Sequence, residues 1–248
     1  MPAAAAPNPT AAPPRLAVVV PLKDEADGVP SLLAALDRLA VELAPVAACE
    51  FVCGDDGGAA FAAALLAAAL AERPNARLVR HEHNRGLSAA IRTGLLATDA
   101  PCVASIDADL SYDPRELAHM LPLLDDADVV TASPYHPAGG VRSVPRWRLF
   151  LSRTLSACYR RLLRRDLHTW TACFRVYRRA AVADLPQSQP GFLGTAELLV
   201  RVLRRGGRVV EHPCVLDVRK FGQSKMRVLR TIRQHLGLLW QVALGRIA

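Results

Sequence analysis

The most constraining feature of this 248-residue chain is a rhythm. Short apolar runs alternate with segments of helical period, and each run ends on acids, glycines or histidines. LAVVVPL (16–22) is followed by Lys23, Asp24 and Glu25. CEFVC (49–53) closes on GDDGG, ARLVR (76–80) on HEHNRG, and PCVASI (101–106) on DADLSYDP. Between them, VPSLLAALDRLAVEL, AAFAAALLAAALAE and LSAAIRTGLLA read as helices. Such alternation predicts an α/β fold with a mostly parallel sheet covered by helices on both faces. Ligands of open parallel sheets bind beyond the carboxyl ends of the strands. All the unusual residues fall at those ends, so one shared site is expected.

Further along, DPRELAHMLPLL (113–124) predicts a helix with Asp113 at its N-cap, Pro114 at N1 and Glu116 at N3. ADVVTAS (127–133) is a fifth strand. A loop from Gly139 leads into a basic helix, WTACFRVYRR (170–179) is strand-like, and residues 191–213 read as helix, Gly-Gly stop and strand. The expected organisation is a disordered Ala/Pro tail over 1–15, one domain over 16–225 and a basic amphipathic helix over 226–248. In that helix Leu229, Ile232, Leu236, Leu239, Trp240, Ala243 and Ile247 recur at three- and four-residue steps. Such a stripe either lies in a membrane interface or packs on the domain.

Charge divides the chain. Residues 1–140 hold 9 basic and 18 acidic side chains, a net −9; residues 141–248 hold 22 and 5, a net +17. A basic half of this size implies an anionic partner. Nucleic acid is disfavoured, because aromatics are 5% of the chain and no base-stacking motif occurs. The six cysteines include no C-x-x-C pair, which suggests thiols in a reducing cytoplasm rather than zinc ligands or disulfides. No signal peptide and no apolar run of membrane-spanning length is expected.

Asp107 and Asp109 stand two apart, so on an extended chain their carboxylates share a face. Two adjacent carboxylates need a counter-charge, and a hard divalent cation shared with phosphate oxygens supplies one. Asp55 and Asp56 in GDDGG suit either a turn or a hydrogen bond to a nucleobase or ribose, with glycines that let a ring approach the backbone. Glu197 is a candidate base or ligand of a substrate hydroxyl, or else a helix-face partner of Arg201. His81 and His83 read as surface histidines. Trp147 and Trp170 suit a ligand groove or the core equally.

In order and spacing, VVVPLKDEADGVPSLLAAL, FVCGDDGG, HNRGLSAAIRTGL, SIDADLSYDP, SPYHPAGG and GFLGTAELLVRVLRRGGRVVEHP resemble family-2 glycosyltransferases. The likeness is to their polyprenyl-phosphate, dolichol-phosphate mannosyltransferase-like branch, and it covers residues 16–230. It implies a GT-A Rossmann-like fold and inverting transfer of a sugar from a nucleotide-diphospho-sugar to a polyprenyl phosphate at the cytoplasmic membrane face. It assigns Pro21 and Glu25 to a nucleotide-contacting loop and Asp56 to the base. It assigns Asp107 and Asp109 to Mg²⁺ or Mn²⁺ on the diphosphate, and Arg219, Ser224 and Lys225 to a closing loop. Arg148 and Arg175 match arginines of the acceptor region and of the G-F-R segment. The chain departs from the family at Leu87, Ser111, Pro134, Thr169 and Cys173. Two rival readings remain: a soluble transferase acting on a hydroxyl of a glycan or small molecule, and a non-catalytic nucleotide-binding partner. The intact DAD and FGQSK weigh against the last.

Overall fold

The computed structural model describes residues 13–24, 28–142, 144–217 and 228–247. Strands β1 (Arg15–Leu22), β2 (Ala48–Asp55), β3 (Ala76–Arg80), β4 (Cys102–Ser105), β5 (Val129–Ser133), β7 (Arg175–Arg178) and β8 (Val209–Pro213) form one sheet in the order β3-β2-β1-β4-β7-β5-β8. A second, two-stranded sheet joins β6 (Gly140–Val141) to β9 (Val215–Leu216). The helices are α1 (Val29–Leu43), α2 (Ala60–Ala71), α3 (Leu87–Leu96), α4 (Leu117–Met120), α5 (Arg146–Leu163), α6 (Arg179–Val182), α7 (Gly191–Arg204) and α8 (Val228–Ala243).

Strand β1 is buried on both faces, which is why its sequence is a continuous apolar run. Leu16, Val18 and Val20 point to one layer, with Leu32, Leu36 and Leu39 of α1. Ala17 and Val19 point to the other, with Leu95 of α3, Leu199 of α7, Tyr159 of α5 and Leu238 and Val242 of α8. The period of two thus assigns each residue of β1 to one of two cores. Helix α3 lies so close to β1 that a Cβ at Gly94 would sit 2.3 Å from Val19 Cγ1.

The sheet is mostly parallel as expected, with β7 alone running antiparallel, to both β4 and β5. Two expectations need correction. The segment predicted as one helix from Asp113 is broken into a 3₁₀ turn (Pro114–Glu116), α4 and a second 3₁₀ stretch (Leu121–Asp125). Pro122 has no N–H to continue the α ladder. Asp113 still caps the start, its Oδ1 accepting Arg115 N–H at 3.0 Å. The strand read over 170–179 shortens to β7.

The terminal helix is built into the domain. Its buried face is His235, Leu238 and Val242, followed by Ile247. Leu236 and Trp240 of the expected stripe are instead 59% and 64% exposed.

Candidate active site

The carboxyl ends of β1, β2, β3 and β4 gather their acids as expected, but the local geometry is richer than the spacing implied. At the end of β2, Asp56 is almost wholly buried. Its Oδ1 accepts Arg85 N–H at 2.7 Å and pairs with His81 Nδ1 at 2.9 Å, and its Oδ2 accepts Gly86 N–H at 2.7 Å. His81 is buried too, its other nitrogen 2.8 Å from Thr93 Oγ1. It is a structural histidine, not a surface one; His83 is exposed. Asp56 therefore holds the HNRG loop against the strand end.

Gly57 (φ +67°) permits this turn, because a Cβ there would meet the His83 carbonyl carbon at 2.5 Å. Asp55 accepts Gly58 N–H at 3.0 Å, and its Oδ2 lies 3.1 Å from Arg80 Nε without a well-aligned hydrogen bond. With Asp56 engaged in three internal contacts, Asp55 is the acid of the pair with more remaining acceptor capacity. Pro21 pairs with Gly54 in the β1–β2 ladder, level with this turn. Glu25, Arg219, Ser224 and Lys225 lie outside the described residues.

Strand β4 ends at Ser105, so Asp107 and Asp109 do not share the face of an extended chain. They sit on a turn in which Leu110 N–H bonds Asp107 O at 3.2 Å. Leu110 adopts φ +52°, which a side chain rarely tolerates outside constrained sites. Asp109 is buried and its Oδ1 accepts Ser111 N–H at 3.0 Å, which fixes the carboxylate. Asp107 lines the cavity described below. The donor set fits a hard cation such as Mg²⁺ or Mn²⁺, since both side chains offer oxygen. The neighbouring Cys173 thiol does not change that character. Burial, together with Asp107 and Asp109, holds its pKa well above the usual thiol value, so it stays protonated.

Beyond Asp107 a cavity of about 540 Å³ runs between α5 and α8. Its walls are mostly apolar, including Leu151, Leu155, Ile232, Leu236 and Leu239. Trp147 is a lining residue, 51% exposed, and Arg148 stands in the first turn of α5 with its guanidinium over the Trp147 ring at 5.2 Å. Arg148 Nε is shielded from solvent and has no hydrogen-bond partner among the described residues. Trp170, by contrast, is fully buried and stacked on Tyr159, so it belongs to the core.

Two expected site residues are interior braces. Arg175 is fully buried; its guanidinium donates to Thr131 Oγ1 at 3.1 Å, Thr195 O at 2.6 Å and Trp170 O at 2.7 Å. Burial lowers its pKa, and its donors are spent joining β5, β7 and α7, so it does not hold an acceptor phosphate. Glu197 is equally buried. It accepts Ser188 N–H, Ser188 Oγ–H and Gln189 N–H at 2.8–2.9 Å and pairs with Arg201 Nη2 at 2.8 Å. A carboxylate so engaged is neither a base nor a sugar ligand; it anchors the loop before α7.

The sequence reading missed Glu211 and Asp217. Glu211 of β8 accepts His168 N–H at 2.7 Å, Thr169 N–H at 2.8 Å and Ser133 Oγ–H at 2.7 Å, and so holds cavity-lining Thr169 in place. Asp217 lines the cavity, and its N–H donates to Ser111 O at 2.9 Å. Its place directly after β9 and two residues before Arg219 was the available signal.

A family model described as glycosyl transferase family 2 matches residues 17–185. The chain is 30% identical to polyprenol monophosphomannose synthase of Mycolicibacterium smegmatis, across 86% of this chain and 81% of that protein. It is also 30% identical to dolichyl-phosphate hexose transferase of Haloferax volcanii, across 85% and 86%. With undecaprenyl-phosphate mannosyltransferase of Micrococcus luteus it shares 29% identity across 71% and 78%. Among solved structures, glucosyl-3-phosphoglycerate synthase of Mycobacterium tuberculosis, in complex with Mn²⁺, UDP and glucosyl-3-phosphoglycerate, superposes with a TM-score of 0.68. That match has 19% identity and covers 94% of this chain and 80% of the other.

Proposed function

This chain belongs to glycosyl transferase family 2, and from that membership and the geometry above we propose that it transfers a sugar from a nucleotide diphosphate to a polyprenyl phosphate. The observation that carries the acceptor assignment is the apolar cavity between α5 and α8, which begins at Asp107 and Arg148. A soluble polar acceptor has no use for such walls, whereas an isoprenoid tail fills them and leaves its phosphate at the polar end. The names of the relatives agree with this reading.

The residues divide the work. Asp55 and the turn around Gly57 face the nucleoside. Asp107 and Asp109 would hold Mg²⁺ or Mn²⁺, which when bound offsets the charge of a departing diphosphate. Arg148 grips the acceptor phosphate, for which a guanidinium fork is suited. A phosphate monoester has a second pKa near 6 and is already anionic at pH 7, so it attacks the sugar carbon without surrendering a proton to a side chain. Attack from the face opposite the leaving diphosphate inverts the anomeric centre.

Delivery of such an acceptor calls for contact with a membrane. No helix among the described residues is long and apolar enough to cross one. Trp147 and Phe150 of α5 and Leu236, Trp240 and Leu244 at α8 are all exposed, and Arg146, Arg153, Arg160 and Arg161 of α5 are exposed with them. Apolar side chains among arginines suit the interface of an anionic leaflet, each basic residue contributing about 1 kcal/mol. The chain then works as a peripheral protein on the cytoplasmic side.

The test is a transfer assay pairing nucleotide-diphospho-mannose and -glucose donors with polyprenyl phosphate, a short alkyl phosphate and free polyprenol. Transfer to polyprenyl phosphate far above the other two is expected. Equal use of the short alkyl phosphate would remove the role of the cavity, and use of free polyprenol would promote a hydroxyl acceptor. Flotation with anionic liposomes at low salt tests the surface separately, and failure to float would remove it.

A further inference from the structure

Outside this site, three potential metal ligands converge where nothing in the proposed reaction needs them. Glu116 closes the 3₁₀ turn after Asp113, His119 lies one turn further along on α4, and His212 stands on the edge strand β8. His212 Nε2 is 2.7 Å from Glu116 Oε2, and His119 Nδ1 is 3.6 Å from the same oxygen. The two imidazoles stack with centroids 6.1 Å apart and an interplanar angle of 10°. One ligand atom from each residue lies within 4.8 Å of the others.

We propose that Glu116, His119 and His212 form a second metal site, selective for a borderline transition-metal cation of the Zn²⁺ type. Zinc bound to imidazole and carboxylate at about 2.0–2.1 Å places tetrahedral ligands roughly 3.3 Å apart, so modest rotations of exposed His119 and partly buried His212 suffice. Two nitrogens and one oxygen favour Zn²⁺, Co²⁺ or Ni²⁺ over Mg²⁺, the reverse of the oxygen-only pair Asp107 and Asp109. The open side faces solvent, where water completes the shell.

The site has a structural consequence. It fastens β8 to the segment that leaves the Asp107–Asp109 turn. The same two stretches of chain meet again where Asp217 N–H reaches Ser111 O. A bound ion therefore ties two walls of the acceptor end together from behind, and it raises thermal stability without contributing to the donor site.

The experiment titrates the full chain, free of any polyhistidine tag, with Co²⁺ and follows d–d absorption, then displaces the ion with Zn²⁺. One Co²⁺ per chain is expected. His119→Ala and His212→Ala should each weaken it by at least about tenfold, as loss of a direct ligand exceeds the loss of a supporting one. Asp109→Asn should leave the titration unchanged. Because His119 is exposed, its replacement keeps the fold and decides the matter even where His212→Ala does not. Absence of Co²⁺ absorption and of calorimetric Zn²⁺ binding in the wild type would overturn the proposal. So would equal affinity in His119→Ala, or loss of binding in Asp109→Asn.

Discussion

Under the proposed function, the side assigned to the donor and the side assigned to the acceptor are built on opposite principles. At the carboxyl ends of β1–β4 most polar groups named above are tied to another: Asp56 to two backbone N–H groups and His81, Asp55 Oδ1 to Gly58 while its Oδ2 keeps no hydrogen bond, Asp109 to Ser111. Between α5 and α8 the walls are apolar, with Tyr159 and His235 bonded to each other and Arg148 Nε unpartnered among the described residues. A nucleotide diphosphate is rigid in its demands, and a preorganised polar frame meets them at little reorganisation cost. A polyprenyl tail offers nothing to hydrogen-bond. It asks for area, plus one cation for its phosphate. Under that reading, the contrast places donor specificity in backbone geometry and acceptor specificity in surface chemistry.

The sharpest challenge to that contrast is Asp109→Asn. The side chain keeps its shape but loses its charge, so the fold should persist while transfer falls by about 10³-fold, a loss at the level of a key electrostatic stabiliser. Rate and melting temperature measured together decide it; a near-normal rate would dissolve the donor side as drawn.

Glu197→Gln comes next and should act on stability. Breaking its buried pair with Arg201 and turning an amide toward Ser188 and Gln189 N–H should cost roughly 3 kcal/mol. Denaturant midpoints should show that loss while transfer per folded molecule stays within about threefold. A collapse in rate with unchanged stability would return Glu197 to the chemistry.

Arg148→Ala should reduce transfer at limiting acceptor by about 10–100-fold, the worth of a charged hydrogen bond, with donor binding unchanged. Titrating acceptor and donor separately tests it. Weakened donor binding would place this arginine on the wrong side.

The last test concerns His235, whose effect appears only on acidification. Burial in the apolar wall lowers its pKa from the usual 6.5 to about 4. The unfolded chain takes up a proton below pH 6.5 that the folded chain refuses until about pH 4. Stability should therefore fall with acidification across this window, by up to about 1.4 kcal/mol per pH unit. His235→Gln should flatten that part of the profile. Equal slopes for the two proteins between pH 6 and 4.5 would show that the wall does not penalise charge.

Much of the donor side was legible because it obeys sequence-local rules. Strand ends, glycines and paired acids announce themselves, and the continuous apolar run of β1 reads directly as a buried strand. The misreadings have a common cause in strand and helix parity. Arg175 shares a face with Tyr177, and that face of β7 looks into the layer of α5, α7 and α8, not into the site. No spacing within ACFRVYRR reveals that β7 lies antiparallel between β4 and β5, and so which face is which. Helix α8 was misread for a related reason. Its packed face includes His235, whose ring finds Tyr159 Oη at 3.0 Å, and a stripe built from apolar letters alone skips a histidine. Glu211 was beyond reach because its partners include backbone amides some forty residues away; for Glu197 the pairing with Arg201 was one of two readings, while its bonds to Ser188 and Gln189 had no signal in the spacing.

The reversed strand β7 has a consequence for how such a molecule can change. Because β7 runs against its neighbours, the chain just ahead of it, Thr169 to Phe174, arrives at the same edge as the ends of β4 and β5, and Ser105 Oγ–H fastens the arrival by donating to Cys173 O. The β3-β2-β1-β4 half is thus complete in register before any cavity-lining residue is laid down. Graft exchange between relatives at the β4–β7 seam follows naturally. Under the proposed function, exchange of residues 134–174 together with 228–247 between relatives is expected to redirect the recipient lipid while the strand-end half is inherited intact.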